Sequence, residues 1–423
     1  MRRHQLVVVE LSLAILSGAT ARAQCSYDEV FAADSDPYDY FGDATSVFGD
    51  SLLVGATGDD EYGTAHGAAY VFARTPSGWV QEAKLLGLGA GYWLGTAVAL
   101  RGDTAAVGAP MAYPRGPESG AVYVFRRRPD GWAEWQRVTD YSGEPYDRFG
   151  HSISLSGNRM MVGSPGRATT EGFGKVSVYE LRPEGWVQTA KFWPDTPYRG
   201  LGQFGAFVAL SGNCALVAAP YASRVGGFTD ANGAVYVYEL TNAGWKNVAT
   251  FTFDWVCGQG GVFGQSVALG GDTGLVGGWG CADVGGVRSG SVWVLERIAP
   301  RTWVITQQLS AGDPDPYDSF GKYVAIECDT AVIGATGDDE AADGAGAAYV
   351  FRRRGGSWVQ TLKLMAPDAG AMDFLGVVSL HRGRIAVGAA WDDDRGPDAG
   401  STYVVDCPAL RVDCDRSVTA PDR

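Results

Sequence analysis

The chain has 423 residues, of which 46% are hydrophobic and 12% aromatic, and its formal net charge at pH 7 is −14. The apolar content is sufficient for a large core, in one domain or in several. The negative charge argues against nucleic acid as a partner, because phosphate binding requires a concentrated basic surface.

The N-terminal 23 residues have the features of a secretory signal peptide. Arg2 and Arg3 precede a mostly apolar stretch from residue 6 to residue 16, and Ala21-Arg22-Ala23 forms a small-x-small cleavage site. No later segment is long and apolar enough to span a bilayer. We therefore expect a secreted or extracytoplasmic protein, in the periplasm or at the cell surface. In that compartment its seven cysteines predict disulfides, with one thiol left over.

A single repeat accounts for nearly all of the remaining chain. A glycine preceded by Phe or Leu recurs seven times, and each copy is followed 12 or 13 residues later by a triplet of small residues that ends an apolar run. These repeat glycines are Gly42, Gly95, Gly150, Gly205, Gly264, Gly321 and Gly376. A period of 53 to 59 residues indicates supersecondary units that stack on their neighbours to bury their apolar faces.

The second repeat, which starts at Gly95, illustrates the strands expected in each unit. Two short runs joined at Gly102-Asp103 are typical of a tight hairpin, and a third run at 120–125 is apolar on both alternations and so buried on both faces. Trp132 begins a fourth run, and a Trp occupies the same place in six of the repeats. Blades of four antiparallel strands set radially form a β-propeller, and we expect each Trp to pack between blades.

The seventh repeat ends at its third strand, so another segment must close the ring. Aligning residues 34–42 with residues 313–321 places Tyr27 to Ala32 where other repeats have a fourth strand. We therefore predict an all-β fold, a seven-bladed β-propeller of four-stranded antiparallel blades over residues 24–410, whose last blade is completed by the N-terminal strand. A signal peptide at 1–23 precedes it and a C-terminal tail at 411–423 follows it. We expect a monomer.

The strand placement makes the cysteine positions informative. Cys25 on the N-terminal strand and Cys407 after the last strand are predicted to form a disulfide that staples the ring, with Cys414 as the competing partner. Cys257 and Cys281 fall in loops beside the fifth blade, where a local disulfide is expected. The cysteines expected to stay unpaired, because they lie at turns of non-adjacent blades, are Cys214 and Cys328.

Three motifs resemble those of a known family. The Phe-Gly that opens a repeat, the triplet Gly108-Ala109-Pro110 and the following run from Gly120 to Phe125 resemble the FG-GAP repeats of integrin α-chain propellers and of many exported bacterial proteins. The resemblance implies a seven-bladed propeller used for adhesion or recognition. Its ligands would lie on the face that carries the loops between strands two and three and between strands four and one, called here the loop face. The resemblance names no ligand.

The family's calcium-binding members carry an extended Asp-rich loop between strands one and two. This chain has only short turns there, such as Gly49-Asp50 and Gly102-Asp103. A two-residue turn cannot supply the roughly six to eight oxygens that calcium requires. No calcium site is therefore predicted at these turns.

Aromatic residues and arginines concentrate in the loop-face segments of repeats two to four. Such side chains dominate recognition hot spots and sugar-stacking platforms, although they would equally suit small cores within their own loops. The ligand-binding candidates are Tyr113, Arg115, Tyr146, Arg148, Arg167, Trp193, Tyr198, Arg199, Tyr221 and Arg224.

Acidic residues concentrate instead in the loop-face segments of repeats six, seven and one, which are neighbours in a closed ring. An aspartate lies three residues before the repeat glycine in each of these repeats, and an acidic cluster follows each triplet. Clustered hard oxygens suit calcium, whereas aspartates that cap turns would explain the same residues. The candidate Ca²⁺ ligands are Asp39, Asp59, Asp60, Asp318, Asp338, Asp339, Asp373, Asp392, Asp393 and Asp394.

The sequence contains no recognisable catalytic motif. Its four histidines are scattered, and neither a Ser-His-Asp order, a zinc spacing, a phosphate loop nor a nucleotide fingerprint is present. The leading hypothesis is an exported, non-catalytic binding or adhesion scaffold that recognises a protein or carbohydrate through the loop face. The alternatives are a glycan-cleaving enzyme that uses loop-face carboxylates, since two acids about 5 to 10 Å apart suffice, and a ligand-free structural module of the cell envelope.

Overall fold

The computed structural model describes residues 25–61, 63–87, 92–166, 174–194, 202–222, 233–252, 257, 262–407 and 410. The predicted signal peptide and C-terminal tail lie outside these residues. The described chain forms seven four-stranded antiparallel sheets arranged as the blades of a propeller, which confirms the predicted all-β fold. Within the described residues, no helix has the length and apolar character needed to cross a bilayer.

The strands are numbered in chain order and given for each blade from the innermost strand outward. The first strand, β1 (Ser26–Val30), belongs to blade 7. Blade 1 consists of β2 (Phe41–Phe48), β3 (Ser51–Ala56), β4 (Ala68–Thr75) and β5 (Gly78–Leu85). Blade 2 consists of β6 (Val98–Arg101), β7 (Thr104–Ala109), β8 (Ala121–Arg128) and β9 (Gly131–Val138). Blade 3 consists of β10 (Ser152–Ser156), β11 (Arg159–Ser164), β12 (Lys175–Arg182) and β13 (Gly185–Phe192).

The remaining four blades repeat this order. Blade 4 consists of β14 (Phe207–Ser211), β15 (Cys214–Ala219), β16 (Ala234–Thr241) and β17 (Gly244–Thr252). Blade 5 consists of β18 (Ser266–Gly270), β19 (Thr273–Gly278), β20 (Ser291–Ala299) and β21 (Thr302–Leu309). Blade 6 consists of β22 (Phe320–Glu327), β23 (Thr330–Ala335), β24 (Ala347–Arg354) and β25 (Ser357–Leu364). Blade 7 consists of β26 (Val377–His381), β27 (Arg384–Ala389), β28 (Ser401–Asp406) and β1.

The ring is closed at the junction of blades 7 and 1. The innermost strands contact one another around the ring, and β26 of blade 7 contacts β2 of blade 1. The outermost strand β1 pairs antiparallel with β28, from Ser26 opposite Asp406 to Val30 opposite Thr402. The N-terminal strand therefore completes blade 7 as predicted, although it begins and ends slightly earlier than the alignment placed it.

Local residue patterns explain the strands within a blade. The turn between β6 and β7 places Gly102 at a φ of 55°, in the left-handed region that glycine adopts without steric cost. The third strand has almost no exposed side chain from Val122 to Phe125, because both of its faces pack against neighbouring blades. The aromatic residue before the repeat glycine is also fully buried, as in Phe41 and Phe320.

The tryptophan that opens the fourth strand packs against the preceding blade. Trp186 of blade 3 is buried in a cluster that includes Val122 and Val138 of blade 2. The side chain of Gln136, also in blade 2, accepts a 2.7 Å hydrogen bond from the Trp186 backbone N–H and donates a 3.0 Å bond to the Trp186 carbonyl. Trp358 of blade 6 is buried and bound in the same way. The predicted inter-blade role of these tryptophans is confirmed.

The two predicted disulfides are present. Cys25 is bonded to Cys407 across 382 residues of sequence, and Cys257 is bonded to Cys281. If the pairing of β1 with β28 is extended by one residue, Cys25 lies opposite Cys407. In blade 1 the equivalent pair is Trp79 opposite Arg74. Blade 7 has no such tryptophan, and the disulfide lies in its place, in a cluster with residues of blade 6.

One expectation about the cysteines is wrong. Cys214 is a buried free thiol as expected, but Cys328 is disulfide-bonded. The expectation rested on the placement of Cys214 and Cys328 at turns of non-adjacent blades, which argues only against a bond between these two cysteines.

Removal of a buried tryptophan should separate two blades. We expect Trp186→Ala to lower the free energy of unfolding by about 3 to 5 kcal/mol, because it leaves a cavity between blades 2 and 3. The control is Trp193→Ala in the same blade: this side chain is 53% exposed, and its loss should cost less than about 0.5 kcal/mol. Chemical denaturation measures both values. Similar losses for the two variants would refute the inter-blade role.

Loss of the ring-closing disulfide should also be measurable. Cys25→Ser, Cys407→Ser and the double variant each break the same bond, so all three should lose about 2 to 5 kcal/mol and unfold alike. The comparison is the Cys257→Ser, Cys281→Ser pair, which opens a loop of sequence separation 24 instead of 382 and should lose less. Equal denaturation midpoints for the wild type and the Cys25→Ser variant would show that this disulfide does not stabilise the folded state.

Candidate functional site

The predicted site residues lie on the loop face. The loops there connect strand two to strand three and strand four to the next blade's strand one, and they hold the described members of both candidate sets. Arg167, Tyr198, Arg199 and Arg224 fall outside the described residues.

The described aromatic and arginine candidates differ in exposure. Tyr113 and Trp193 are each 53% exposed and Arg115 is exposed, whereas Tyr146 and Tyr221 are half-buried. The guanidinium of Arg148 donates to the Glu118 carboxylate at 2.8 and 2.9 Å, so this arginine already has an anionic partner. Tyr113, Arg115 and Trp193 are thus the members of this set most available to a ligand.

The structure adds aromatic residues that the sequence analysis missed. The centre of the Tyr92 ring lies 6.0 Å from that of the Tyr113 ring. Trp93, which follows Tyr92 in the chain, has a half-exposed side chain. We call Tyr92, Trp93 and Tyr113 the Tyr113 group. The Trp391 ring, 46% exposed, lies 6.0 Å from Tyr40 and 5.4 Å from Phe374, and these form the Trp391 group.

The repeat contains a signal for these aromatic residues. Tyr40, Trp93 and Phe374 each stand two residues before a repeat glycine, with φ between 50° and 55°. Non-glycine residues in this left-handed region cost free energy, and they persist where the surrounding backbone fixes them. The same left-handed φ recurs at this position in six blades of the described chain, so the backbone presents a side chain at the same point of the loop face, and in three of these blades that side chain is aromatic.

The aspartates three residues before the repeat glycines act as turn caps. The Asp39 carboxylate accepts a 2.8 Å hydrogen bond from the Asp36 N–H, Asp318 accepts one from Asp315 at 2.7 Å, and Asp373 accepts one from Gly370 at 2.6 Å. All three side chains are buried. These contacts favour the turn-capping interpretation that the sequence had left open.

The capping aspartates are nevertheless electrostatically unusual. Burial raises the pKa of Asp39, Asp318 and Asp373 to about 6 each, and the neighbouring carboxylates that add to the effect come from the same blade in every case. The largest of these contributions comes from Asp59 for Asp39, from Asp338 for Asp318 and from Asp392 for Asp373. The acidic residues thus form one cluster per blade, rather than one continuous site across three blades.

In blade 1, a lysine offsets part of the negative charge of the acidic cluster. The Lys84 ammonium lies 2.7 Å from Asp34, 2.8 Å from Asp59 and 2.7 Å from Glu61. Burial alone would lower the pKa of Lys84, but hydrogen bonds to these three carboxylates raise it above its ordinary value. The Tyr70 hydroxyl donates a 2.5 Å hydrogen bond to Asp59 from the other side.

Blade 6 repeats this arrangement residue by residue. The Lys363 ammonium lies 2.7 Å from Asp313, 2.8 Å from Asp338 and 2.6 Å from Glu340, and the Tyr349 hydroxyl donates to Asp338 at 2.6 Å. In both blades the ammonium stands where a metal ion would have to bind. The acidic candidates outside these ion pairs, Asp60 and Asp339, are exposed at the loop tips.

Blade 3 also balances its buried carboxylate with lysines. The Asp140 side chain, almost fully buried, contacts the ammonium groups of both Lys175 and Lys191, and Lys175 also reaches Asp147 at 2.5 Å. Burial favours a raised pKa for Asp140, but the two lysines outweigh it and lower the pKa. Lysines thus compensate the buried loop-face carboxylates of blades 1, 3 and 6.

The cluster of blade 7 differs from those of blades 1 and 6. Asp368, Asp392 and Asp394 occupy the positions of the three carboxylates, and Tyr403 that of the tyrosine, with its hydroxyl 2.8 Å from Asp368 and 3.2 Å from Asp392. Glu29 of β1 stands at the lysine position. Burial and then the charges of Asp368 and Asp392 raise the pKa of Glu29 to about 7. Oxygen atoms of Glu29, Asp368 and Asp394 all lie within 4.8 Å of one another.

Glu29 and Asp368 were absent from the sequence-based candidates. Asp368 is not part of an acidic run, so the sequence pattern did not mark it. Glu29 lies in the cluster because β1 pairs with β28, which places Glu29 opposite Tyr403. The repeat offers a signal, since Lys84 opposite Tyr70 and Lys363 opposite Tyr349 align with Glu29.

Comparison with known proteins identifies the family of these blades. The FG-GAP repeat family matches the chain at residues 28–72, 79–125, 132–179, 303–351 and 358–405, which is more than half of its length. The chain belongs to the FG-GAP repeat family. Each matched FG-GAP segment begins in the outermost strand of one blade and ends in the third strand of the next, and the first begins within β1. This offset agrees with β1 as the fourth strand of blade 7.

Two further comparisons give no function for this FG-GAP protein. No curated protein matches the chain. Among solved structures, it is similar to a periplasmic gluconolactonase of Pseudomonas aeruginosa at 17% identity and a TM-score of 0.48, over 76% of this chain and 85% of that one. A similarity this low supports no inference about chemistry, and we draw none from it.

The buried capping aspartates predict a specific pH dependence. A carboxyl whose pKa is raised to about 6 binds its proton more tightly in the folded state, so the free energy of unfolding should rise as pH falls from about 7 to about 5. Below about pH 4 it should fall, as Asp34 and Asp140, whose pKa values lysines hold below the ordinary value, take up protons. Urea denaturation across this range measures the effect.

Asparagine provides the matched variant for this prediction. In Asp39→Asn, Asp318→Asn, the amide oxygen keeps the cap but no longer titrates. This double variant should lose part of the stability gain between about pH 7 and pH 5, of the order of 1 kcal/mol per residue, and keep the loss at lower pH. The prediction is wrong if the two proteins show the same slope above pH 5.

Proposed function

We propose that this protein is an exported, non-catalytic scaffold that binds a protein or carbohydrate through the loop face. The observation that carries the proposal is the presence of two half-exposed aromatic groups on that face, the Tyr113 group and the Trp391 group. Trp193 adds a third exposed ring. Export is supported by the disulfides, of Cys25 with Cys407, of Cys257 with Cys281 and of Cys328, since such bonds persist in oxidising compartments.

Exposed aromatic rings held in fixed positions favour recognition. Tyrosine and tryptophan provide large contact areas with few rotatable bonds, and they stack on sugar rings or fill pockets of a partner protein. Here the rings stand on loops anchored by a closed ring of blades, and backbone hydrogen bonds such as Tyr40 N–H to the Asp398 carbonyl, 3.1 Å, join the loops of adjacent blades. A preorganised surface loses little conformational entropy on binding.

The raised pKa values of the three capping aspartates do not require a catalytic role. Perturbed carboxyl groups can indicate an active site, and a glycan-cleaving enzyme remains the alternative. In this chain the raised pKa values of Asp39, Asp318 and Asp373 occur at the same turn of three blades. Each of these carboxylates also accepts the same hydrogen bond from a backbone N–H. A role in turn formation therefore accounts for these shifts without a reaction.

A binding screen with two substitutions tests the proposal. The purified protein is screened against a glycan array and against extracts of cell-surface proteins, and affinities are then measured for any ligand found. Trp391→Ala and Tyr113→Ala should each weaken binding about tenfold or more if their rings are hot spots, with no change in melting temperature. The control is Ile298→Ala, an apolar residue that is 62% exposed at a strand-three turn on the opposite face.

Three results would contradict the proposal. Equal affinities of all variants would remove the loop-face aromatic residues from the site. Absence of any ligand in both screens would favour the ligand-free structural module. Hydrolysis of a glycan during the array incubation would establish the enzymatic alternative, and replacement of the loop-face carboxylates would then locate its acids.

A further inference from the structure

The acidic clusters of blades 1, 6 and 7 are built on equivalent positions. In each, a tyrosine of the third strand is paired in register with a residue of the fourth: Tyr70 with Lys84, Tyr349 with Lys363, and Tyr403 with Glu29. The surrounding carboxylates also correspond from blade to blade, namely Asp34, Asp313 and Asp368 before the repeat glycine, Asp59, Asp338 and Asp392 after the triplet, and Glu61, Glu340 and Asp394 two residues later.

The difference between the blades is a single reversal of charge. In blades 1 and 6, one ammonium group lies between three carboxylates at 2.6 to 2.8 Å from each. In blade 7, a fourth carboxylate replaces the ammonium. The basic residue that acts on this cluster among the described residues is Arg395, which is exposed and whose guanidinium stacks on Phe31, 4.5 Å from the ring centre. Four carboxylates converge there, and within the part of the chain that the structure describes no ammonium or guanidinium forms an ion pair with them.

Two buried polar groups beside this cluster lack a hydrogen-bond partner within the described structure. The Tyr27 side chain is 6% exposed, and its hydroxyl makes no hydrogen bond. Tyr27 and Glu29 lie two residues apart on β1 and so project from the same face of the strand, and the charges of Asp368 and Glu29 act on the hydroxyl. The buried Oε1 of Glu29 is also without a partner. Buried polar atoms without a partner are uncommon in native proteins, and a bound water or ion is one way in which they are satisfied.

We propose that blade 7 binds a calcium ion at the position that the lysine ammonium occupies in blades 1 and 6. Glu29, Asp368 and Asp394 would provide the ligands, and Asp392, held by Ser401 at 2.8 Å and near the Tyr403 hydroxyl, would lie behind them. Their oxygen atoms lie within 4.8 Å of one another, so a common centre lies no more than about 2.8 Å from each, close to the calcium–oxygen distances of about 2.3 to 2.6 Å. Asp368 and Asp394 are exposed, so the ion has a path from solvent.

Carboxylate oxygens alone suit calcium better than its competitors. Zinc and copper prefer nitrogen and sulfur ligands, and magnesium demands near-ideal octahedral geometry and gives up its water reluctantly. The site lies on the loop face, away from the strand-one to strand-two turns of the same blades. Its ligands come from β1, from the loop that enters blade 7 and from the loop between β27 and β28, so the ion would fasten the N-terminal strand to the blade it completes.

Calcium titration of the purified protein tests this proposal independently of any loop-face ligand. Calorimetry should show one site with a Kd of roughly 0.1 to 1 mM, the range of extracellular calcium modules. Saturating calcium should raise the melting temperature by about 2 °C or more, and magnesium should raise it less. No calcium heat and no melting shift at saturation would overturn the proposal.

The decisive variant is Glu29→Lys, which restores in blade 7 the residue of blades 1 and 6. It should abolish both the calcium heat and the calcium-dependent melting shift, while its melting temperature in chelator should equal or exceed that of the wild type in chelator. A Glu29→Lys protein that still binds calcium with wild-type affinity would refute the site.

Two further variants complete the test. Asp368→Asn removes one ligand charge without introducing a cation and should weaken calcium binding at least about tenfold, so the site can be tested even if Glu29→Lys does not fold. The matched control is Glu61→Gln in blade 1, at the position equivalent to Asp394, which should leave calcium binding unchanged. Loss of binding in Glu61→Gln together with unchanged binding in Asp368→Asn would place the ion in blade 1 and contradict the proposal.

Discussion

The fold depends on one close contact between backbones that is repeated around the ring. The carbonyl of the repeat glycine in one blade lies against the α-carbon of the triplet glycine in the preceding blade, as between Gly150 and Gly108, so closely that a Cβ on Gly108 would overlap the oxygen. The same contact between Gly42 and Gly388 joins blade 1 to blade 7. A side chain at this position would push two blades apart, which explains why glycine recurs there. Blade 4 carries Ala218 at this position instead of glycine.

Close contact near the axis creates a second requirement at the rim. Blades that touch at their inner strands diverge outward, and the widening space is filled by a large side chain at the start of the fourth strand, such as Trp186 or Trp303, each almost fully buried. Inner glycines and outer tryptophans together fix the angle between blades. The loops therefore begin and end at fixed points, which is what a recognition surface needs if binding is to lose little entropy.

The sequence predicted what the repeat determines and missed what arises between repeats. The blade count, the four strands, the position of Trp186 and the Cys25–Cys407 bond all follow from one period, because each copy makes the same contact with its neighbour. Lys84 escaped notice because its three partners are distant in sequence and meet only in the folded blade. Glu29 was harder still to predict, because it lies in an acidic cluster only through the pairing of the first strand with the last.

Blade 7 departs from the other blades for a reason that lies in its connectivity. In blades 1 to 6, a short turn joins the third strand to the fourth, so the outer strand is held by its own neighbour. In blade 7 the outer strand β1 comes from the other end of the domain, and closing so long a loop costs more entropy than closing a turn. The Cys25–Cys407 disulfide replaces that turn at one end of β1. A cation bound by Glu29 would hold the strand toward its other end, on the loop face. The disulfide in place of the tryptophan, and the glutamate in place of the lysine of blades 1 and 6, would then serve the same closure.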